Sequence, residues 1–258
     1  LKMDFPVWIH LGGFRFHPHL VFETLSYFIG FRVYLWTRNK ERIPYDTMLA
    51  VLVGAIVGAA LGSKLLYWLE DPIKTIHSLT DLPYLMEGKT IVGGLLGGLI
   101  GVEAAKKMVG WKKSTGDEFV LPLIVGMSIG RVGCFLTGLD DHTYGTETKL
   151  PFGVDFGDGV PRHPTQLYEI VFLFLLAAFV IGLRKLNKSK PWEGFEFQLF
   201  MAGYLLFRLL IDFIKPTPHV YFGLNNIQLA AIAGLIYYGQ LMYKKARKHD
   251  AESKLSVL

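Results

Sequence analysis

The chain has 258 residues, is 51% hydrophobic, has a mean hydropathy of +0.34 and carries a net charge of +5. That apolar content excludes an ordinary soluble domain and directs attention to membrane spans, while the single cysteine excludes an intrachain disulfide. The basic excess does not point to nucleic acid, because it is spread over several loops on one side of the chain's apolar segments.

Residues 1–19 hold Asp4, Pro6, Gly12 and Gly13 and lack the charged start and apolar core of a cleavable leader. The first span is predicted over Leu20–Trp36 and contains Arg32. The second, Met48–Leu69, contains Lys64 and repeats Gly54, Gly58 and Gly62 at four-residue intervals. The third, Gly88–Val109, pairs Gly93 with Gly97, Gly94 with Gly98 and Gly97 with Gly101. Small residues at this spacing let helix backbones approach closely in lipid. The adjacent Gly93 and Gly94 also offer a ligand access to the backbone. The fourth span, Glu118–Leu136, carries Gly126, Gly130, Arg131 and Cys134. After a long polar loop at 137–166 come spans at Leu167–Leu183, Phe195–Phe213 and Ile227–Tyr243. No connection is long enough for a soluble domain, so the reading is one polytopic, all-α membrane domain over 1–258 with seven transmembrane helices.

Orientation follows from the lysines and arginines. The loops after the first, third and fifth spans and the tail hold sixteen: Arg38, Lys40, Arg42, Lys106, Lys107, Lys112, Lys113, Arg184, Lys185, Lys188, Lys190, Lys244, Lys245, Arg247, Lys248 and Lys254. The opposite side holds seven: Lys2, Arg15, Lys74, Lys89, Lys149, Arg162 and Lys215. The positive-inside rule puts the N-terminus outside and the C-terminus in the cytoplasm.

Arg32, Lys64, Arg131 and Arg208 remain within spans. Each costs roughly 2.5–3.5 kcal/mol near a helix centre unless it meets a partner, a cavity or an anion, although long side chains can snorkel. Arg131 and Arg208 each lie 13 residues from the inner start of their spans. They therefore reach a common depth of roughly 20 Å in a core of about 30 Å. Tyr204, Arg208 and Asp212 line one helix face at i, i+4, i+8. That face is either an Arg–Asp ion pair with a tyrosine packed below it, or a phosphate site in which the guanidinium fork matches phosphate oxygens.

The loop "GLDDHTYGTETKLPFGVDFGDGVPRHPTQLYE" supplies Asp140, Asp141, His142, Asp155, Asp158, Arg162, His163, Gln166 and Glu169. His142 and His163 can each act as a base near neutral pH. No local spacing matches a zinc site, a GxSxG elbow, a Walker loop or a dinucleotide fingerprint, so no metal and no cofactor is expected. Cys134 is either a nucleophile or a small packed residue.

"GKTIVGGLLGG", "GRVGCFLTG", "PRHPTQLYE" and "GYLLFR" together resemble the prolipoprotein diacylglyceryl transferase family over about Leu20–Tyr243. The resemblance implies seven membrane helices in the bacterial plasma (inner) membrane. It implies transfer of the diacylglyceryl group of phosphatidylglycerol to a prolipoprotein cysteine, releasing glycerol 1-phosphate. It implies that Arg131 and Arg208 hold the lipid phosphate with Tyr204 as partner. Asp212 and Lys215 stand where the family has an acidic and a basic residue, and Arg162, His163, Gln166 and Glu169 lie in a matching block. Gly93, Gly94, Cys134 and Asp140 complete the expected substrate-binding set. Two departures stand out: Val92 replaces the family histidine, and Cys134 replaces an asparagine. His142 and His163 are then the substitutes for the missing base. Other readings are a non-catalytic phospholipid-binding scaffold, a small-anion transporter, and the same donor with another acceptor; internal repeats favouring transport are not evident.

Overall fold

The computed structural model describes residues 4–38, 43–186 and 192–255. Of the basic residues counted above, Lys2, Lys40, Arg42, Lys188 and Lys190 lie outside this set, as does the side chain of Lys254. The N-terminal segment, for which the sequence predicts no element, forms an antiparallel hairpin of β1 (Ile9–Leu11) and β2 (Phe14–Phe16), with Ile9 opposite Phe16. It leads into α1 (Pro18–Thr37), whose Pro18 sits in the first turn, where a missing N–H costs nothing. Then follow α2 (Tyr45–Trp68) and the short α3 (Pro72–His77) and α4 (Leu82–Met86). Asp71 and Asp81 cap the short pair by accepting from Lys74 N at 3.0 Å and Tyr84 N at 3.3 Å.

α5 (Ile91–Met108) follows Thr90, which donates twice to α2: its N–H to Ser63 Oγ at 2.9 Å and its hydroxyl to Ser63 O at 3.1 Å. A 3₁₀ turn at 116–119 runs into α6 (Val120–Thr137), and a second covers 138–141. Within the predicted outer loop, β3 (Val154–Asp155) and β4 (Pro161–Arg162) make a second hairpin. It is closed by Asp155 Oδ1, which accepts from Gly157 N at 2.8 Å and Gly159 N at 2.9 Å. Asp155 therefore has a turn-forming job.

α7 (Thr165–Leu186), α8 (Phe195–Ile211) and α9 (Asn226–Leu255) complete the helices. Gly194, at the start of α8, has no side chain to cap with, and Asp117 does so from across the bundle, accepting from Gly194 N and Phe197 N at 3.1 and 3.0 Å. At the start of α9 Asn225 and Gln228 satisfy each other's backbone N–H groups at 2.7 and 2.9 Å, a reciprocal capping box.

Among the described residues, 4 helical stretches are long and apolar enough to cross a membrane: Tyr45–Trp68, Gly116–Asp141, Thr165–Leu186 and Phe195–Ile214. Helices α1, α5 and α9 occupy the other three predicted spans. The most extensive packing joins α2 to α5, with further seams between α1 and α6, α8 and α9, and α6 and α7. The glycine repeats explain the first seam. A methyl group at Gly101 would lie 2.0 Å from Gly54 O, and one at Gly58 would lie 2.3 Å from Gly97 O. Gly93 belongs to the same seam, with Gly62 O 2.3 Å from its missing methyl. The apolar core lies between α5, α6, α7, α8 and α9 and includes Val92, Ile124, Leu173, Phe200, Leu205 and Ala231.

Replacement of Gly101 by Val should cost about 1–3 kcal/mol or more, because the obstructing atom is a carbonyl oxygen that no rotamer change can move. Gly182→Ala, where a methyl meets nothing within 4 Å, should leave stability unchanged or slightly raised. Thermal unfolding of the detergent-solubilised variants measures the difference.

Candidate active site

The four cations predicted within spans have different fates. Lys64 reaches the carbonyls that end α4, donating to Glu87 O at 2.8 Å and Gly88 O at 3.0 Å as well as to Met86 O, so its charge caps a helix. Arg32 is exposed on the outer surface of α1. Arg131 and Arg208 are buried, at 5% and 3% exposure.

Arg131, on α6, places Nε 2.9 Å from Glu169 Oε2 on α7. The contact lies off the N–H axis, so it is an ion pair that leaves this N–H without a directed acceptor. The other Glu169 oxygen accepts from the Tyr204 hydroxyl on α8 at 2.7 Å. One turn further, Arg208 holds Asp212 through Nε at 3.2 Å and Nη2 at 2.8 Å, and the Asn225 amide contacts Asp212 Oδ2 at 3.4 Å. Lys215 Nζ lies 3.9 Å from Asp212 Oδ1. The Arg–Asp ion pair on the sixth predicted span is thus formed. It belongs to a buried cluster in which Arg131, Glu169, Tyr204 and Arg208 lie in one another's fields. Gln166, in the first turn of α7, donates its amide to Thr143 Oγ1 at 3.1 Å while its own Oε1 is buried without a partner.

Burial, reinforced by the Arg208 charge, pushes the Lys215 ammonium down to about 7. Glu70, just beyond α2, is held above the usual carboxylate range by burial and by the nearby Asp212. The site is therefore near charge balance with one lysine ready to take up a proton.

The remaining expected residues are placed as follows. Arg162, on β4, bonds Asp158 Oδ1 at 2.6 Å and lies over the Tyr144 ring. His163 meets the Tyr168 hydroxyl at 3.1 Å through Nδ1. His142 is exposed and adopts a left-handed backbone with φ 52, and Asp140 beside it is also exposed. Gly94 has room beside it: a methyl group there would lie 3.8 Å from Ala59 O and 3.9 Å from the Ser63 side chain, ordinary contact distances. Val92 is fully buried in the apolar core.

Cys134 is buried, one helical turn along from Arg131, whose Nη1 approaches its sulfur at 3.8 Å. Two residues that sequence reasoning left out of the site face it. His19, at the start of α1, places Nδ1 2.7 Å from Asp141 Oδ1, and one ligand atom from each of His19, Cys134 and Asp141 lies within 4.8 Å of the others. His19 and Cys134 are far apart in the chain, so no local spacing announces them. The available signal is His19 and Glu23 on one helix face at i, i+4, with the imidazole Nε2 3.5 Å from Glu23 Oε2.

Apolar helices enclosing buried guanidinium, carboxylate and phenol groups define a polytopic membrane protein with a charged site inside its bundle. A family model described as prolipoprotein diacylglyceryl transferase matches residues 6–243, and the chain belongs to that family. A phosphatidylglycerol–prolipoprotein diacylglyceryl transferase of Clostridium tetani is 32% identical over 222 residues, covering 83% of this chain and 86% of the relative. A relative of the same name from Geobacter sulfurreducens is 30% identical over 253 residues, covering 92% and 89%.

Glu169→Gln should destabilise the fold by about 3–5 kcal/mol, because it leaves Arg131 buried without its counter-charge. Tyr204→Phe removes one hydrogen bond to a charged oxygen and should cost about 1.5–3 kcal/mol. Chemical unfolding in detergent gives the order of the two.

Proposed function

We propose that this chain transfers the diacylglyceryl group of phosphatidylglycerol to a thiol of a prolipoprotein or to a related acceptor. It acts as a multi-pass protein of the bacterial plasma membrane. Seven helices span the bilayer with the N-terminus outside, α1, α5 and α9 joining the 4 more apolar stretches. The observation that carries this reading is the buried Arg131–Glu169–Tyr204 contact with Arg208 beside it, in a chain of this family.

Arg131 and Arg208 hold the lipid phosphate, with Tyr204, Gln166 and Glu169 fixing their positions and Asp212 orienting Arg208. Arg162, Asp140, Cys134, Gly93 and Gly94 border the donor and acceptor. The acceptor sulfur attacks the diacylglycerol carbon that carries the phosphate ester oxygen. That carbon–oxygen bond breaks and glycerol phosphate leaves with the electron pair, its growing charge met by the two guanidinium groups. The thiol proton passes to an imidazole on the outer side, from His142 or His163 in the loop or His19 at the start of α1. Nucleic acid has no part in this scheme.

Val92 supports a second reading. An apolar residue stands where the resemblance implies a base, as in a phospholipid-binding scaffold without chemistry or an enzyme with the same donor and a non-lipoprotein acceptor.

Arg131→Lys and Arg208→Lys, which keep the charge but lose the fork, should each lower transfer from labelled phosphatidylglycerol to a lipobox peptide by about a hundredfold or more, with the protein still in the membrane. Near-normal turnover in either variant would overturn the assignment. Headgroup release without peptide labelling would identify another acceptor, and lipid binding without release a scaffold.

The Lys215 ammonium must be charged to assist an anion, so binding takes up a proton. Phosphatidylglycerol affinity should weaken as pH rises through about 7, and Lys215→Arg should flatten that dependence. Lipid-binding titrations across this range provide the check.

A further inference from the structure

The transfer mechanism above gives Asp141 no role, sets Cys134 only beside the substrates and offers His19 as one of three imidazoles that could take a proton. These three side chains come from the start of α1, the end of α6 and the turn after α6. They present a nitrogen, a sulfur and a carboxylate oxygen within 4.8 Å of one another. We propose that His19, Cys134 and Asp141 bind a zinc ion whose fourth position takes the acceptor's cysteine as a thiolate. This deepens the transferase reading and rests on it for the identity of the fourth ligand.

Two features separate a metal site from a hydrogen-bonded catalytic triad. In a triad, the carboxylate takes one imidazole nitrogen and the thiol the other. Here Nδ1 meets Asp141 at 2.7 Å and Nε2 faces Glu23 at 3.5 Å, while the Cys134 thiol reaches both the imidazole and the Asp141 carboxylate, so the three donors converge on one point instead of forming a relay. A histidine that binds metal through one nitrogen characteristically gives the other N–H to a carboxylate, which fixes the ring. Glu23 is in that position, itself held by Lys89 Nζ at 2.5 Å.

The second feature is that each of the other two donors has its own outer partner. Asp141 Oδ2 accepts from the Thr143 hydroxyl at 2.6 Å, leaving Oδ1 turned to His19. Cys134 has the Arg131 guanidinium at 3.8 Å, a counter-charge for a metal-bound sulfur. A packed, inert cysteine needs none of this.

The donor set selects the ion. A thiolate and an imidazole favour zinc over magnesium or calcium, and three protein ligands with one open position are the pattern of reactive zinc sites. Tetrahedral bonds of about 2.0–2.3 Å hold ligand atoms roughly 3.3–3.6 Å apart, so seating the ion requires the 2.7 Å His19–Asp141 contact to open by about half an ångström and any pair near the 4.8 Å bound to close. One thiolate and one carboxylate neutralise the ion's two charges. Cys134 is 9% exposed and the Asp141 side chain 5%, while the His19 side chain is 41% exposed, so the site is open on the α1 side.

Placement ties the site to the chemistry. Arg131 touches both Cys134 and Glu169, so its guanidinium adjoins the metal site on one hand and the phosphate cluster on the other. The acceptor thiol loses its proton to water on binding zinc. The sulfur then forms a bond to the diacylglycerol carbon while that carbon's bond to the phosphate ester oxygen breaks and glycerol phosphate leaves with the electron pair. The zinc is neither oxidised nor reduced. Loss of the thiol proton to water replaces the transfer to an outer imidazole, because a zinc-bound thiolate needs no general base, and it accounts for a transferase with Val92 at the position of the family histidine.

The test uses the full chain in detergent or nanodiscs. Elemental analysis should find about one zinc per chain. Cobalt(II) added to the metal-stripped protein should give a sulfur-to-cobalt charge-transfer band and four-coordinate visible bands. Cys134→Ser and His19→Ala should each remove the bands, and Glu23→Gln should weaken metal affinity about tenfold. A lipobox peptide should intensify the charge-transfer band, whereas its Cys→Ser version should not. Absent bands in the wild-type chain, or bands that survive Cys134→Ser, would overturn the inference. So would full transfer activity in chelator-treated protein shown to be zinc-free, which would leave the transferase reading intact. Stoichiometric zinc with the expected bands, but no peptide effect and no transfer, would instead remove the transferase reading together with the fourth ligand.

Discussion

The fold depends on one carboxylate shared by three helices. Glu169 on α7 gives one oxygen to Tyr204 on α8 and the other to Arg131 on α6. Burying a carboxylate and two guanidinium groups costs several kcal/mol per ion, and only close pairing offsets it. The surrounding architecture follows from that demand. Asn225 supplies a further donor to Asp212 while closing the capping box of α9, so the start of that helix is tied to the charge cluster. Ion pairs of this kind add little net stability, but they specify which helix faces which. Here they bring α6, α7 and α8 to a common register at the level of the site.

The outer segment is held to the same place. Thr146 N donates to Ile214 O at 2.7 Å, at the end of α8, and Thr165 Oγ1 donates to Thr143 O at 2.5 Å. The long loop is thereby pinned over the ends of α7 and α8, with its hairpin standing outside. This arrangement keeps Asp141 on the inner side of the turn while Asp140, its neighbour, faces out. A single residue decides which aspartate meets Cys134.

Much of this was legible in the sequence, for identifiable reasons. Glycines every four residues predicted close backbone contact, and the α2–α5 seam is made that way because the pattern is local. Tyr204, Arg208 and Asp212 share a helix face because helical periodicity is local too. The family was legible from short motifs spread along the chain. The two hairpins were not, since strands of two or three residues carry no periodicity to read. His19 was missed for a different reason: its partners lie over a hundred residues away, and only the packing of α1 on α6 brings them together. Lys64 was legible as a cation within a span but not as a helix cap, because its acceptors are the carbonyls at the end of a short helix that hydropathy does not reveal.

The α2–α5 seam has one further consequence. Where side chains interdigitate, two helices can slip by exchanging rotamers; peptide groups in direct contact have no such freedom. The pair therefore moves as a single stiff plank. Any relative motion of the helices must be taken up at the seams lined by larger side chains.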